Sequence, residues 1–495
     1  MRMPVRASAN GVLLLAAVTL ALMGSAAHGR ELGTWCVSTT DRFQLISDLD
    51  RDAQRQLLEL LTRFDPVAEP FLPGDAVARP APLKLVVFSR RADFQNLTGK
   101  RKFAGFMQPS LETARLLIGP LRGDLTETTL HEYAHYRLRN RLDISLPTWF
   151  DEGLASLLGS VDLTDADAVV GRLPTSRMEN LVRQELGSGP SAGFDAALTA
   201  TSVARWSVEK INAFYDWSWL LVHYLYLGQP GDPLEQSRTL TSYLRAGDTA
   251  LPDYLGFEQR QLVRALERHL RRPPSLKIPI DQAAPATAAF ECMDDLERDH
   301  ELARAILTQN PSMASRLLRP YAKSHSNDVA FLVTRARIAV AMDELDAATA
   351  LAEDALEQGP EAPEAMVLNA DLAARDCLFT VSEQCYDHWR RARALYRKTV
   401  RIDPERNDAV IGLGLAYLYT GRPGEAVNYL KVAYAKAPWA ALTNYYLGES
   451  YRLIGDTRAA IYLTNARNWA DLPVWERLAE ESLRLLGGDS GSEIR

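Results

Sequence analysis

His131-Glu132-Tyr133-Ala134-His135 sets two imidazoles four residues apart, with a carboxylate beside the first. On a helix, positions four apart lie about 40° apart around the axis, one turn removed. His131 and His135 then point the same way and can grip one metal ion between them. Glu132 is turned aside from that pair, so it suits polarising a water rather than ligation. Two histidines leave a catalytic zinc one protein ligand short. Glu152, within Trp149-Phe150-Asp151-Glu152-Gly153-Leu154-Ala155, is separated from His135 by sixteen residues and supplies a carboxylate. The chemistry this spacing points to is one zinc ion on His131, His135 and Glu152, with Glu132 as general base. Among common divalent ions, zinc best suits two imidazoles and a carboxylate.

Such a site needs two helices. Leu125 to Leu138 contains no Pro or Gly and reads as the first. Asp124 followed by Glu127 predicts a capping box at its start. Pro147 suits a first helical turn, and Pro147 to Leu158 reads as the second. Between them fit the end of the first helix, a turn around Arg141 to Ser145, and a return. Gly153 is expected to let the second helix approach the first closely. Asp151 is read either as a support for the ligands or as a solvated side chain.

The pair H-E-x-x-H and W-x-x-E-G-x-A resembles the gluzincin metallopeptidases, the group that includes thermolysin and the aminopeptidase N type. The resemblance covers roughly Trp35 to Arg272 and implies His131, His135 and Glu152 as zinc ligands and Glu132 as general base. It also implies an edge strand along the cleft, onto which a substrate backbone adds as a further strand. The segment Asn212 to Tyr226 resembles the family's helix that packs across the active site. On that helix Tyr215 is the candidate hydroxyl for the developing oxyanion. His223, a single His on an apolar helix, reads as a hydrogen-bonded core residue. Two departures stand out. The gap before Glu152 is two residues shorter than the usual aminopeptidase spacing. Gly105-Phe106-Met107-Gln108-Pro109 also lacks the Glu that binds a substrate's free amino end in aminopeptidases.

The first 29 residues read as an export signal. Arg2 and Arg6 form a positive start, Gly11 to Met23 an apolar run short for a membrane span, and small residues follow to Gly29. The protein is expected to be periplasmic or extracellular, with no stable membrane span after cleavage. Net charge −7 and the lack of a basic patch with interleaved aromatics exclude nucleic acid as a partner. Export permits disulfides among the four cysteines. Of the three pairings, Cys377 with Cys385 is the most local and leaves Cys36 with Cys292.

Further elements are expected as follows. Thr34 to Thr39, Leu83 to Phe88, Phe106 to Gln108 and Ala114 to Ile118 read as strands. Asp41 to Arg63 reads as a helix, Asp65 to Pro82 as a loop, and Leu163 to Arg272 as mostly helical. Residues 273–292, rich in Pro and Ala, read as a linker. Beyond it the chain repeats. Gly414, Tyr417, Gly421 and Ala426 recur as Gly448, Tyr451, Gly455 and Ala460, each 34 residues on. That is the period of tetratricopeptide (TPR) helix pairs. About four units are expected from Asp328 to Asp471, with a degenerate one over Leu296 to Asn327 and an insertion near Cys377 to Tyr386.

The expected organisation is thus a signal peptide (1–29), a gluzincin-like α+β metallopeptidase domain (30–272), a linker (273–292) and an all-α TPR solenoid (293–488). The α+β domain would hold a small mixed sheet and the active-site helices. The expected function is zinc-dependent hydrolysis of peptide bonds in a peptide or protein substrate, the repeats binding substrate or a protein partner. The rival reading is an envelope scaffold whose repeats hold a partner and whose metallopeptidase-like domain is structural.

Overall fold

The computed structural model describes residues 32–487, apart from 77–81, 109–110, 112, 121–124, 165, 174–193, 195–197, 201–205, 247–250, 281–287, 379–382 and 471. The expected signal segment and Asp124 lie outside the described residues.

The chain opens with a hairpin of β1 (Cys36–Thr39) and β2 (Phe43–Ser47). Helix α1 (Arg51–Ala68) and the short β3 (Asp75–Ala76) lead to β4 (Leu83–Val87), parallel to β2. Helix α2 (Arg91–Thr98) precedes β5 (Gly105–Gln108) and β6 (Arg115–Ile118). β6 lies parallel to β4, and β5 closes that edge antiparallel to β6. Next come α3 (Thr126–Arg139), β7 (Arg141–Leu142), α4 (Thr148–Gly159), β8 (Asp162–Leu163) and β9 (Asp167–Val170). Helices α5 (Val208–Leu227), α6 (Pro233–Ala246), α7 (Leu251–Tyr254) and α8 (Gln259–Arg271) follow, then β10 (Leu276–Pro279) and β11 (Ala289–Cys292). The main sheet has the order β11-β1-β2-β4-β6-β5.

Two expectations need correcting. Asp41 to Arg63 is not one helix. Phe43 to Ser47 forms a strand with Phe43, Leu45 and Ile46 buried, and α1 begins only after Asp50, whose carboxylate caps the Ala53 amide at 2.8 Å. The apolar run there satisfies both periods, and pairing with β1 and β4 decides between them. The helix then continues past Pro66 to Ala68, into the stretch expected to be loop.

The second correction concerns the linker 273–292, much of which is strand. β10 pairs with β9, and β11 pairs with β1 with Cys36 opposite Cys292. Those two cysteines form a disulfide, as do Cys377 and Cys385. β1 would otherwise leave a row of backbone groups open, and β11 closes it.

The rest is antiparallel helix pairs: α9 (Asp295–Ile306) with α10 (Pro311–Leu318), and α11 (Val329–Ala341) with α12 (Leu345–Gln358). α13 (Pro363–Ala374) pairs with α14 (Glu383–Ile402), and α15 (Asn407–Leu418) with α16 (Pro423–Lys436). α17 (Ala441–Leu453) pairs with α18 (Ala459–Asn468), and α19 (Pro473–Leu486) ends the stack. The 34-residue period shows in the turns, where Gly421 and Gly455 have φ of 74° and 76°. It shows in the packing too. A Cβ on Gly414 would lie 2.7 Å from Leu430 Cγ, and one on Gly448 2.8 Å from Leu463 Cγ. Leu430 and Leu463 are not a full period apart, and Ala459 rather than Ala460 is fully buried. A strict repeat would bury Thr464, so α18 slips by one residue and presents Leu463 instead.

From Trp35 onward the chain forms one compact unit. Ala437, Trp439, Ala440, Ala441 and Trp469 of the repeats belong to the same core as Leu61, Leu116 and Leu154.

Candidate metal centre

α3 and α4 pack side by side, and their facing surfaces build the site. The expected capping box rests on Asp124, outside the described residues. α3 starts at Thr126 after Leu125, with no side-chain cap. Arg137 and Arg139 in its last turn complement the negative end of the helix dipole. Its back face is fixed to α1, where the Tyr133 hydroxyl donates to Asp65 at 2.8 Å and Arg137 pairs with the same carboxylate. The close approach between the helices occurs at Gly159, not Gly153. A Cβ on Gly159 would stand 3.0 Å from the His131 Cβ. Gly153 faces α5 instead, where its missing side chain admits the Ser218 carbonyl and Val222.

His131, His135 and Glu152 converge. Nε2 of His131 and Nε2 of His135 are 3.2 Å apart. Glu152 Oε2 lies 3.5 Å from the first and 3.3 Å from the second. Among the described residues these three form the one cluster of three or more His, Cys, Asp or Glu groups able to share an ion. Tetrahedral zinc with bonds of 2.0–2.1 Å spaces its donor atoms about 3.3 Å apart, which this triangle matches. Among the described residues, buried Glu152 Oε2 has no hydrogen-bond partner beyond its approach to the two imidazoles. A buried carboxylate oxygen left so is costly unless a cation meets it.

Behind the triangle, His135 Nδ1 sits 2.7 Å from Asp151 Oδ1, and both side chains are almost fully buried. A carboxylate only accepts, so Nδ1 carries the proton and the Nε2 lone pair faces His131 and Glu152. Arg139 in turn holds Asp151 Oδ2 through Nε at 2.9 Å and Nη2 at 2.6 Å. Asp151 is therefore a support for the ligands, not a solvated group. Arg139 was overlooked in the sequence, although it lies one helical turn beyond His135 and so on the same face.

The electrostatics follow from burial. Burial opposes charge on His135, but the Asp151 and Glu152 carboxylates outweigh it and push its pKa up to about 10. The two carboxylates thus favour positive charge at His135 Nε2, where a proton and a metal ion would compete for one lone pair. Burial alone would raise Glu152, yet the two imidazoles hold it below the usual carboxylate range. For Glu132 burial wins over the neighbouring histidines, and its pKa is raised. That direction suits a group that accepts a proton near neutral pH.

Gly105 of the edge strand β5 lies directly on Glu132. A Cβ there would meet Glu132 Cγ at 2.8 Å and Oε1 at 3.1 Å. The face of β5 that carries Gly105 therefore borders the site, and β5 is the last strand of its sheet. Tyr215 on α5 is half-buried, its ring edge-on to His131 with centroids 6.4 Å apart. His223 is a buried, hydrogen-bonded core residue, as expected. Its Nε2 meets the Gly171 carbonyl at 3.0 Å and its Nδ1 meets His269 at 2.6 Å.

No protein-family model matches the chain, and no curated protein matches it. Solved structures with similar folds are TPR proteins. TTC0263, a thermophilic TPR protein from Thermus thermophilus, is 16% identical over 38% of this chain and 98% of its own, with a TM-score of 0.33. MamA from Desulfovibrio magneticus RS-1 is 17% identical over 36% of this chain and 99% of its own, with a TM-score of 0.27. YrrB, a TPR protein with an unusual peptide-binding site, is 14% identical over 37% of this chain and 91% of its own, with a TM-score of 0.26. At such scores the repeat assignment rests on the helix pairs themselves. Among the described residues no helix is long and apolar enough to cross a membrane.

Proposed function

We propose that this chain is an exported zinc-dependent metallopeptidase that hydrolyses peptide bonds, working in the periplasm or outside the cell. The observation that carries the reading is the triangle of His131 Nε2, His135 Nε2 and Glu152 Oε2, with sides of 3.2–3.5 Å and Asp151 fixing the His135 tautomer. Zinc bound there would supply a Lewis acid for the scissile carbonyl and lower the pKa of water to about 7.

The protein's own groups carry the remaining steps. Glu132, with its raised pKa, takes the proton of the attacking water and returns it to the leaving amine. Tyr215 donates its hydroxyl to the oxyanion as the carbonyl becomes tetrahedral. The free edge of β5 takes the substrate backbone as an added strand, which brings the scissile bond past Glu132. The repeat array holds a protein partner or part of the substrate.

Glu132→Gln tests this reading. Zinc content should stay stoichiometric while peptide hydrolysis disappears; retained hydrolysis would remove Glu132 from its role. A second reading keeps the repeats as a partner-binding scaffold and makes the N-terminal domain structural. The core shared between Trp439, Trp469 and that domain favours it. Stoichiometric zinc with no hydrolysis of any peptide by the wild type would leave that reading standing.

A further inference from the structure

The turn between the two metal-site helices, residues 140–147, is gripped by the far end of the chain. Asn465 on α18 is fully buried. Its Oδ1 accepts from the Leu146 amide at 3.0 Å and its Nδ2 donates to the Ile144 carbonyl at 2.7 Å. Asn468 donates to the Leu146 carbonyl at 2.8 Å. The Tyr462 hydroxyl donates to Asp143 Oδ1 at 2.7 Å, and the Asp143 amide donates to the Tyr434 hydroxyl at 3.3 Å. Asp143 has φ of 56°, a conformation that a non-glycine residue keeps only when its surroundings hold it.

A second contact reaches the same place. The Arg139 guanidinium lies 5.6 Å above the Trp469 ring, and Arg139 is the group that holds Asp151 against His135.

These contacts lie at the hinge of the site. Leu146 immediately precedes Pro147, the cap of α4, and the Phe150 and Asp151 amides both bond the Pro147 carbonyl. A shift at Leu146 therefore carries rigidly along the first turn of α4 to Glu152. The peptide groups of residues 144 and 146 are buried and must be paired. Asn465 pairs two of them as a neighbouring strand would.

We infer that the last two full repeats are part of the metal centre. They set the angle between α3 and α4, and Asn465 is the positioning residue that brings Glu152 onto His131 and His135. The inference rests on the metal-centre reading above. It makes the array a fixed wall of the domain and not a free arm.

The test is metal affinity of the full chain, measured by chelator competition for Zn²⁺ and by the visible spectrum of the Co²⁺ form. Asn465→Leu keeps the branched outline of the side chain and removes both hydrogen bonds. It should lower Zn²⁺ affinity roughly 10- to 100-fold, the usual effect of losing a group that orients a ligand. It should also alter the Co²⁺ bands while circular dichroism stays native. Asn369→Ala is the control. Asn369 caps the Ala352 and Ala365 carbonyls within the array, remote in sequence from the turn's contacts, and its loss should leave the metal untouched. If Asn465→Leu does not fold, Tyr462→Phe removes only the hydroxyl on Asp143 and should still weaken Zn²⁺ severalfold. Wild-type affinity in a folded Asn465→Leu chain, or in Tyr462→Phe when the former does not fold, overturns the inference. A wild-type chain that takes up no metal sinks the metal-centre reading itself, a distinguishable result.

Discussion

Asp151 and His135 face each other across two helices, Oδ1 to Nδ1 at 2.7 Å, in a setting with almost no solvent. One proton lies between them, and its position decides which imidazole nitrogen is left to bind. Asp151→Asn keeps an acceptor but loses the charge that favours the Nδ1 proton and that pairs Arg139. Zinc affinity should fall about tenfold or more, read by chelator competition, with His131 and Glu152 unchanged.

Gly105 against Glu132 predicts a separation of metal binding from catalysis. Gly105→Val would push side-chain atoms into Glu132 Cγ, 2.8 Å from even a Cβ. Overpacking of this kind costs roughly 1–3 kcal/mol. Hydrolysis should drop tenfold or more while zinc stoichiometry holds. Undiminished hydrolysis by the Gly105→Val chain would show that β5 can recede from Glu132 at little cost.

His223 predicts a pH dependence of stability. Burial lowers its pKa to about 4, against 6.5 for the free side chain, and His269 beside it acts in the same direction. Below 6.5 the unfolded chain takes up a proton that the folded chain refuses, so stability falls as pH drops. The loss runs from pH 6.5 down to about 4, at about 1.4 kcal/mol per unit, and amounts to about 2 kcal/mol at pH 5. Denaturant titrations of the wild type and His223→Gln at pH 7 and pH 5 should show a flatter dependence in the variant.

The Cys36–Cys292 disulfide ties β1 to β11 across 256 residues of chain. Closing so long a loop restricts the unfolded chain strongly, by roughly 3–5 kcal/mol. Cys36→Ser with Cys292→Ser should lower the denaturant midpoint by a corresponding amount. Replacing Cys377 and Cys385, only 8 residues apart, should cost less.

Much of the candidate site was legible in the sequence because it is local. His131 and His135 share a face by helical period alone, and Pro147 caps the short helix that carries Glu152. The repeats were legible for the same reason, since the glycines that admit Leu430 and Leu463 recur with the period of the unit. Where one stretch satisfied two periods, as at Phe43 to Ser47, sequence could not choose. The partner strands did.

What the residues by themselves determined was the inventory: two histidines at helical spacing with a glutamate beside them, a second glutamate on the next helix, and a train of helix pairs. Only the tertiary structure decided what stands behind each ligand. Asp151 rather than water fixes His135, Gly159 rather than Gly153 meets His131, and residues 273–292 join two sheets instead of spanning a gap. Asn465, more than three hundred positions after the turn it holds, has no signature in the sequence, because its role is set by which carbonyls the folded chain leaves beside it.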